Sequence, residues 1–478
     1  PWCLLDTAHR NMERRVHHFD FDTTGVHKLL EQLIAKARES YMKTGDRLAE
    51  HFVRTYADNQ FLLPGYLLQR EIFENHLKSA LLAGKMAFVW VDALRFEMGR
   101  ELAQTLAGEF EVDLQPAVAS IPTITEIGMA SLLPLPKEPP QLYSPAEGKL
   151  AIEVDGVPIR DRKERINYLI SHTYLKTFDV RLEDLLPTPK KAIRDAMKTA
   201  DLILVTSQEI DELCEGDNVH LARRIMDDML LELRRVFRIL RDLGVKTIIC
   251  TADHGYLFGE EVGVDMKIDP PGGNTVDLHR RVWVGQGGAA NEATLRAPLG
   301  KFGWETDFEI STPWNFACFK VKGGTSAYFH GGLSPQELFI PVLTIKATKK
   351  ETAGVGNYVW KLTPGTPKIS TRFYSVQISG ELSGLFEATP SKVRVEIRSA
   401  TDNLATAISA SYGFTEATGD VQLRAHPENP RCIEANTVTL MITKEPEGKK
   451  TAVSVVLLDA ETGVELSRLN DIEMAFAI

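Results

Sequence analysis

The sequence is poor in cysteine and holds no cysteine pair at metal-ligand spacing. Its 478 residues include five cysteines that lie far apart and form no C-x-x-C motif, namely Cys3, Cys214, Cys250, Cys318 and Cys432. An odd and scattered set of this kind excludes a disulfide framework, and it excludes a thiolate zinc site. The cysteine usage therefore indicates a reducing compartment, and we expect a cytoplasmic protein.

Long apolar runs and an excess of basic residues are also absent. No run approaches the roughly 20 apolar residues that span a bilayer, and the opening residues, PWCLLDTAHRNMERR, lack the pattern of a signal peptide. The 55 basic residues against 65 acidic ones give a formal net charge of -10, which excludes a protein that coats nucleic acid by bulk charge. We therefore expect no membrane partner, whereas a local basic groove is compatible with this balance.

Glycine-rich phosphate loops are missing as well. Neither a P-loop nor a G-x-G-x-x-G motif follows an apolar run, so the sequence does not indicate a nucleotide-binding domain of either type. The central sequence instead alternates short apolar runs with amphipathic stretches. The runs MAFVWVDA, FEVDLQPAV, DLILVTS and VKTIICTADHG are predicted strands, and helices are predicted between them. This order predicts an α/β fold with a mostly parallel sheet flanked by helices.

Changes in the spacing of apolar and turn-forming residues along the chain predict three regions. Residues 1–83 carry apolar residues at three- and four-residue steps, which predicts a helical lead-in. Residues 84–350 hold the α/β domain, with insertions at about 137–197 and 260–303 that follow strand ends, where ligands bind in open sheets. Residues 355–478 consist of short alternating runs separated by turn-forming residues, which predicts an antiparallel β-sandwich.

Carboxylates and histidines lie at the predicted strand ends. Asp92 ends the first strand, Asp211 follows the third, and Asp253 with His254 follows the fourth, while His330 precedes a further helix and strand. The carboxyl ends of parallel strands share one edge of a sheet. Carboxylate and imidazole ligands that converge at this edge are what a site for two divalent cations requires. Each aspartate alone also fits a simpler role, because an Asp after a strand commonly caps the next helix.

Two further side chains complete the pattern. Glu215 lies one helical turn after Asp211, so both carboxylates are expected on one face of a helix. Thr125 lies where the loop after the second strand enters a helix. It is either an ordinary helix cap or a hydroxyl nucleophile that a metal activates. Thr123 competes with Thr125 for the role of nucleophile.

Five segments, in this order, closely resemble a known family. VDALRFE, PTITEIGMASLLP, EIDELCE, TADHGY and HGGLSPQELFIPVL are similar to segments of the PglZ domain. That domain belongs to the alkaline phosphatase superfamily and is found in BREX phage-defence systems and in some response regulators. The resemblance covers roughly Met86 to Lys346. It implies an alkaline-phosphatase-like sheet and an enzyme that hydrolyses phosphate esters.

The resemblance also implies a set of ligands for two metal ions. One ion would be surrounded by Asp92, Thr125, Asp253 and His254, and the other by Asp211, Glu215 and His330. The superfamily usually has a histidine at the position of Glu215. A carboxylate ligand at this position favours harder cations at the second site. Zinc is the first choice for both ions, with manganese or magnesium as alternatives. Members of the superfamily attack phosphorus through a Thr or Ser and form a covalent phospho-enzyme, so Thr125 would be the nucleophile.

Three arginines are candidates for contacts with substrate. Arg95 accompanies Asp92 in the PglZ pattern, and it would either bind a substrate oxygen bidentately or orient one of the metal-binding aspartates. Arg160 and Arg162 belong to a basic run in the first insertion that ends at Arg165. This run is either a contact for the phosphate of a substrate or the solvated face of a helix.

Two functions from different classes fit these observations. The first is a metal-dependent phosphodiesterase or phosphatase, acting on a phosphodiester or nucleotide substrate or on nucleic acid, in antiphage defence with other BREX proteins as partners. The second is an assembly scaffold of a defence complex with weak or vestigial phosphoesterase activity. The intact ligand set favours the enzyme, because carboxylates gathered without a cation are costly.

Overall fold

The computed structural model divides the chain into two compact units, Pro1–Thr348 and Lys349–Ile478. It describes residues 2–18, 27–146, 149–210, 219–258, 266–321, 328–347, 358–382, 390, 392–399, 402–416, 418–444, 452–460, 463 and 465–475. The predicted helical lead-in lies in the same unit as the predicted α/β domain, because Val53 and Tyr56 of the lead-in belong to that unit's hydrophobic core.

A mixed sheet forms the centre of the first unit. Its described strands lie side by side in the order β1 (Leu67–Leu68), β3 (Phe110–Val118), β18 (Phe339–Ala347), β9 (Thr247–Ala252), β2 (Met86–Val91), β8 (Leu202–Ser207) and β7 (Thr177–Arg181). Neighbouring strands are parallel except at β18, which is antiparallel to both β3 and β9. The predicted mostly parallel sheet is confirmed, with one strand reversed.

Burial explains why the apolar runs form strands. Every residue of β2, β8 and β9 is buried, as expected for strands with helices packed on both faces of their sheet. The reversed strand β18 begins at the edge where its neighbour β9 ends, since Val342 pairs with Thr251 and Lys346 with Thr247. The loop before β18 therefore reaches the same edge of the sheet as the loops that follow β2 and β9.

Helices flank this sheet. The described ones are α1 (Cys3–His18), α2 (His27–Asp58), α3 (Lys78–Ala83), α4 (Phe96–Leu106), α5 (Thr125–Ala130), α6 (Arg162–Thr173), α7 (Lys191–Thr199), α8 (Val219–Asp242) and α9 (Pro335–Leu338). The helical pattern predicted as far as Leu82 is interrupted after α2. Pro64 and Gly65 follow there, and Leu67–Leu68 joins the sheet beside β3. None of the described helices is long and apolar enough to cross a membrane.

Smaller sheets occupy the two predicted insertions. In the first, β4 (Gln141–Ala146), β5 (Lys149–Val154) and β6 (Val157–Ile159) form an antiparallel sheet that α6 follows. The later part of the predicted insertion contains β7, which belongs to the central sheet. At the second, a sheet has the strand order β12 (Asn274–Leu278), β13 (Trp283–Gln286), β15 (Glu309–Pro313) and β14 (Thr294–Pro298). Strand β15 lies beyond the predicted end of this insertion at about residue 303. Two short pairs accompany them, β10 (Leu257–Phe258) with β17 (Tyr328–Phe329) and β11 (Lys267–Ile268) with β16 (Cys318–Phe319).

The second unit is a β-sandwich, as predicted. One sheet has the order β19 (Tyr358–Pro364), β21 (Phe373–Leu382), β27 (Asn436–Ile442) and β24 (Ala405–Ala410). The other has the order β20 (Lys368–Ile369), β29 (Glu465–Met474), β28 (Ala452–Asp459), β22 (Lys392–Ser399), β26 (Asp420–Gln422) and β25 (Phe414–Thr415), with β23 (Asp402–Asn403) beside β22. Burial alternates along β21 and β22, and residues of both sheets share one apolar core.

Candidate metal centre

Two neighbouring parallel strands bring three potential ligands together. Strands β2 and β9 are paired in register, with Val91 opposite Ala252. The next residue on one strand is Asp92, and the next residues on the other are Asp253 and His254. One ligand atom from each of these three side chains lies within 4.8 Å of the others, and all three residues are buried. The structure thus brings these three predicted site residues together at one edge of the sheet.

Backbone groups fix the orientation of Asp253. Its Oδ1 accepts hydrogen bonds of 2.9 Å from the amides of Ala93 and His254. Its Oδ2 lies 3.3 Å from Nε2 of His254, which in turn lies 3.9 Å from Oδ1 of Asp92. On the other side of the imidazole, Nδ1 of His254 lies 3.0 Å from the carbonyl oxygen of Gly255. Donation from this Nδ1 leaves Nε2 as the nitrogen with a lone pair, which is the tautomer that a metal ligand needs.

Thr125 joins this cluster, and Thr123 does not. Thr125 begins α5, and its Oγ1 lies 3.2 Å from Nε2 of His254. The Thr123 hydroxyl is fully buried and donates a 2.8 Å hydrogen bond to the carbonyl oxygen of Gly332. Of the two threonines left open by the sequence, only Thr125 presents its hydroxyl to the described ligands.

His330 reaches the cluster because β18 runs antiparallel to its neighbours. Its ring stacks on that of His254, with 4.4 Å between the centroids and an interplanar angle of 6°. Its Nδ1 lies 3.3 Å from the carbonyl oxygen of Thr123. His279, which the sequence did not single out, lies beside it with a centroid distance of 6.1 Å, and Nε2 of His279 is 3.2 Å from Oδ2 of Asp277.

Burial shifts the pKa values of two of these groups. Burial raises the pKa of Asp253 to about 6, although hydrogen bonds from the backbone of Ala93 and His254 oppose the shift. Burial also lowers the pKa of His330 to about 3, and the adjacent imidazoles of His254 and His279 lower it further. His330 is therefore a neutral imidazole at neutral pH, as metal coordination requires.

The donor set fits a divalent cation. Oδ2 of Asp253 is buried and accepts no hydrogen bond from any described residue. A buried carboxylate oxygen of this kind is costly unless a cation or a proton compensates it. Two carboxylates and one imidazole suit zinc, manganese or magnesium, so the residues present do not select one metal.

A buried glutamine connects the cluster to the loop that leads to Thr125. Nε2 of Gln69 donates to the carbonyl oxygens of Ala252 and Asp253, at 3.0 and 2.7 Å. Oε1 of the same amide accepts a 2.8 Å hydrogen bond from the amide of Ser120. Gln69 thus ties the end of β9 to the segment after β3. No motif marked this residue in the sequence, because its partners are backbone groups far away along the chain.

A buried ion pair supports the loop that carries His330. Arg281 and Glu337 are both fully buried, and Nη2 of Arg281 lies 3.0 Å from Oε2 of Glu337. Glu337 also accepts hydrogen bonds from the amides of Gly332 and Ser334, at 2.9 and 3.2 Å. Burial raises the pKa of Glu337, but the charge of Arg281 and these hydrogen bonds outweigh burial, so the pKa lies below its usual value.

The remaining predicted site residues have other surroundings. Asp211 and Glu215 lie outside the described residues. Of the second predicted ligand group, the structure therefore describes His330. Arg95 is buried and forms a 2.7 Å ion pair with Asp6 of α1. Its guanidinium also lies over the ring of Tyr256, 5.0 Å from the centroid. Neither Asp92 nor Asp253 is among these contacts of Arg95.

The arginines of the basic run in the first insertion differ in exposure and in their contacts. Arg160 precedes α6, is exposed, and pairs with Glu164 of that helix. Nη2 of Arg162 lies 3.0 Å from Oδ2 of Asp179 and also donates to the hydroxyl of Thr206. Arg165 differs from both, because the residue is only 9% exposed.

Comparison with known proteins identifies the family. The family model described as "BREX system PglZ alkaline phosphatase-like domain" matches residues 72–345. The chain is 26% identical over 313 residues to "Alkaline phosphatase-like protein BrxZ" of Escherichia coli O9:H4 (strain HS), covering 61% of this chain and 34% of that protein. It is 24% identical over 293 residues to "Alkaline phosphatase-like protein PglZ" of Bacillus cereus (strain H3081.97), covering 58% and 33%. The chain thus spans about a third of the length of these relatives.

Two solved structures are similar to part of this chain, both at low TM-scores. Murine ectonucleotide pyrophosphatase/phosphodiesterase 5 has a TM-score of 0.38 and 13% identity, covering 55% of this chain and 88% of its own. Phosphonoacetate hydrolase from Sinorhizobium meliloti 1021 has a TM-score of 0.34 and 12% identity, covering 54% and 89%. The family match extends over more than half of the 478 residues and includes every described residue of the cluster. The chain therefore belongs to the PglZ family of BREX alkaline phosphatase-like domains.

Proposed function

We propose that the chain is a metal-dependent phosphodiesterase or phosphatase in which Thr125 is the nucleophile. The observation that carries this proposal is the 3.2 Å distance between Oγ1 of Thr125 and Nε2 of His254, within a buried cluster that also holds Asp92 and Asp253. A hydroxyl is a weak nucleophile unless a base or a metal activates it. The cluster beside Thr125 is suited to hold that metal.

The residues of the cluster have separate roles in this proposal. Asp92, Asp253 and His254 would hold one cation, and His330 would belong to a second ligand group. A bound divalent cation supplies Lewis acidity toward a phosphoryl oxygen and favours the ionised form of a nearby hydroxyl. Gln69 and the backbone amides around Asp253 hold the ligand set in position, so little reorganisation is needed when charge develops.

The reaction is a double displacement at phosphorus. Oγ1 of Thr125 forms a bond to phosphorus while the bond from phosphorus to the leaving oxygen breaks, and the leaving oxygen departs as an alcohol once protonated. Water then cleaves the Oγ1–phosphorus bond and restores the Thr125 hydroxyl. The net reaction adds one water across the phosphoester. Phosphodiesters or nucleotides, including nucleic acid, are the proposed substrates, zinc is the first proposed metal, and other BREX proteins are the proposed partners in the cytoplasm.

A hydrolysis assay tests this function. We would measure turnover of bis-p-nitrophenyl phosphate, p-nitrophenyl phosphate and plasmid DNA with Zn²⁺, Mn²⁺ or Mg²⁺, in the wild type, Thr125→Ala and Thr125→Ser. We expect metal-dependent turnover that Thr125→Ala loses by about 10³-fold or more and Thr125→Ser partly retains. Equal activity of Thr125→Ala and wild type would exclude the threonine mechanism. Absence of turnover with all three metals would leave the scaffold role in its place.

A further inference from the structure

A pocket of about 400 Å³ lies in the first unit, outside the candidate metal centre. Its walls come mainly from helices α1, α2, α4 and α9 and from the start of β18, and none of the described cluster residues lines it. This volume is within the range of pockets that bind small molecules. The pocket therefore offers a second place for a ligand, and its lining residues define the chemistry of that ligand.

Aromatic side chains form much of the wall. Phe339 contacts both Phe52 and Tyr66, with ring centroids 5.7 and 5.2 Å apart, and Trp2 packs edge-on against Phe52 at 5.6 Å. Trp2 and Tyr66 remain 37% and 45% exposed, although large aromatic rings gain free energy from burial. A flat aromatic ligand would stack on these rings or meet their edges, and it would cover their exposed surface.

A buried amide adds a hydrogen-bond acceptor to this wall. Gln336 is 6% exposed, and its Nε2 donates a 3.3 Å hydrogen bond to Oδ1 of Asp6. The nitrogen end of the amide faces Asp6, because the carboxylate paired with Arg95 can only accept. Oε1 of Gln336 is therefore left buried, and it accepts no hydrogen bond from any described residue. A ligand with an N–H group would satisfy this costly acceptor.

The charged groups that line the pocket are paired within the protein. Asp6 lies 2.7 Å from Nη2 of Arg95, and the two oxygens of Glu97 accept hydrogen bonds of 2.9 and 3.1 Å from Arg10. A charged ligand would lose its hydration on entry, and these paired residues would not compensate that loss. The pocket therefore favours a neutral ligand, in contrast to the anionic substrate proposed for the metal centre.

We propose that this pocket binds a neutral aromatic heterocycle that donates an N–H hydrogen bond to Oε1 of Gln336. Such binding is independent of the phosphoesterase function proposed above. Phe96 of the pocket wall begins the helix after Asp92. The carbonyl oxygen of Gln336 would lie 2.1 Å from a Cβ at Gly255, the residue after His254. The ligand would thus contact the near neighbours of two cluster residues without contacting the cluster itself.

Binding of indole and of benzofuran tests the proposal, because benzofuran has an oxygen in place of the N–H of indole and cannot donate. Dissociation constants would be measured by ligand-observed NMR titration of the full chain. We expect wild type to bind indole with a Kd of about 0.1–1 mM and to bind benzofuran about 2- to 10-fold more weakly.

Four variants locate the site. Gln336→Met removes the acceptor and keeps the length of the side chain, so it should bind the two compounds equally. Leu63→Trp places a larger side chain in the pocket wall and should weaken indole binding about 10-fold or more. Its control, Leu29→Trp, changes a residue of α2 that is 61% exposed and outside the pocket, and it should match wild type. Asp253→Asn should also match wild type, because the metal centre does not line the pocket.

Thermal unfolding of each variant would establish that it is folded, and the comparison of the two compounds on wild type needs no variant. Three results would overturn the proposal: no binding of indole to wild type, equal affinity of wild type for indole and benzofuran, or unchanged indole binding in Leu63→Trp. Weaker indole binding in Asp253→Asn would also overturn it, because the compound would then bind at the metal centre.

Discussion

The two units of this chain differ in how many of their charged side chains they bury. In the first unit, the strands next to the candidate site are buried along their whole length, and charged groups such as Asp92, Asp253 and Arg281 are buried with them. In the sandwich, burial alternates residue by residue, and ion pairs such as Arg424 with Glu434 lie on the surface. A sheet covered on both faces leaves its ends as the place for polar chemistry, whereas a sandwich can solvate polar side chains on its outer faces.

This comparison implies that charge substitutions should affect the two units very differently. Buried charges in the first unit are expected to control ligand binding and stability, because a buried charge that loses its partner or its ligand is left uncompensated. Solvated pairs in the sandwich are expected to contribute little. The following predictions run from the largest expected effect to the smallest.

The largest effect should come from neutralising a single ligand. Asp253→Asn keeps an oxygen that can accept from the amides of Ala93 and His254 but removes the negative charge. We expect turnover of bis-p-nitrophenyl phosphate to fall about 10³-fold or more, since a lost metal contact removes several kcal/mol of transition-state stabilisation. Asp420→Asn, a buried aspartate of the sandwich, is the control and should change the rate less than about 2-fold. Similar rate losses in both variants would contradict the comparison.

The second effect concerns stability. Glu337→Gln leaves the buried charge of Arg281 uncompensated, so we expect the first unit to lose about 3–5 kcal/mol at pH 7. Hydrogen exchange of the amides in β9 and β18 measures this loss separately from the sandwich. Unchanged protection of these amides would mean that the pair does not support the His330 loop.

The same pair predicts a pH dependence. The pKa of Glu337 is depressed in the folded state, so its contribution is present above the unfolded pKa of about 4.3 and is lost as pH falls through the lower folded value. Wild type should therefore lose stability below about pH 4.3, and Glu337→Gln should show a shallower loss in that range. Parallel acid profiles for the two proteins would contradict this assignment.

A smaller effect is expected from Gly128. A Cβ at this position would lie 2.5 Å from the carbonyl oxygen of Asp253, so α5 must shift away from β9. We expect Gly128→Ala to cost about 1–3 kcal/mol and to lower kcat by displacing Thr125. Gly300→Ala, where no atom lies within 4 Å of the added Cβ, is the matched control and should be near neutral. An unchanged kcat in Gly128→Ala would show that α5 can adjust without moving Thr125.

The smallest effect should come from the sandwich surface. Arg424→Ala removes an ion pair whose side chains are 62% and 26% exposed. We expect a change in unfolding free energy of about 0.2–1 kcal/mol, with no change in turnover. A loss comparable to that of Glu337→Gln would remove the distinction between the two units.

The sequence predicted the elements better than it predicted their contacts. The apolar runs located β2, β8 and β9, because burial is a local property of the pattern. The expectation that parallel strands end at one edge of the sheet placed Asp92, Asp253 and His254 together. The sequence did not indicate that β18 is antiparallel to its neighbours, because an apolar run is compatible with either strand direction.

Long-range partners account for the other differences. Arg95 pairs with Asp6, a residue of a helix near the start of the chain, and no spacing in the sequence indicates that contact. Gln69 acts through backbone groups of distant residues. The basic run did not indicate that Arg165 is the buried arginine among its members. Such contacts depend on packing between elements and not on periodicity within them.

The measurement that tests the central claim most directly is the metal content of the full chain. Wild type and Asp253→Asn would be dialysed against a limiting mixture of Zn²⁺, Mn²⁺ and Mg²⁺ and then analysed by mass spectrometry, with Glu434→Gln as a control from the sandwich. We predict that wild type and Glu434→Gln retain the same amount of divalent metal and that Asp253→Asn retains less. Equal metal in all three proteins, or none in wild type, would contradict the account.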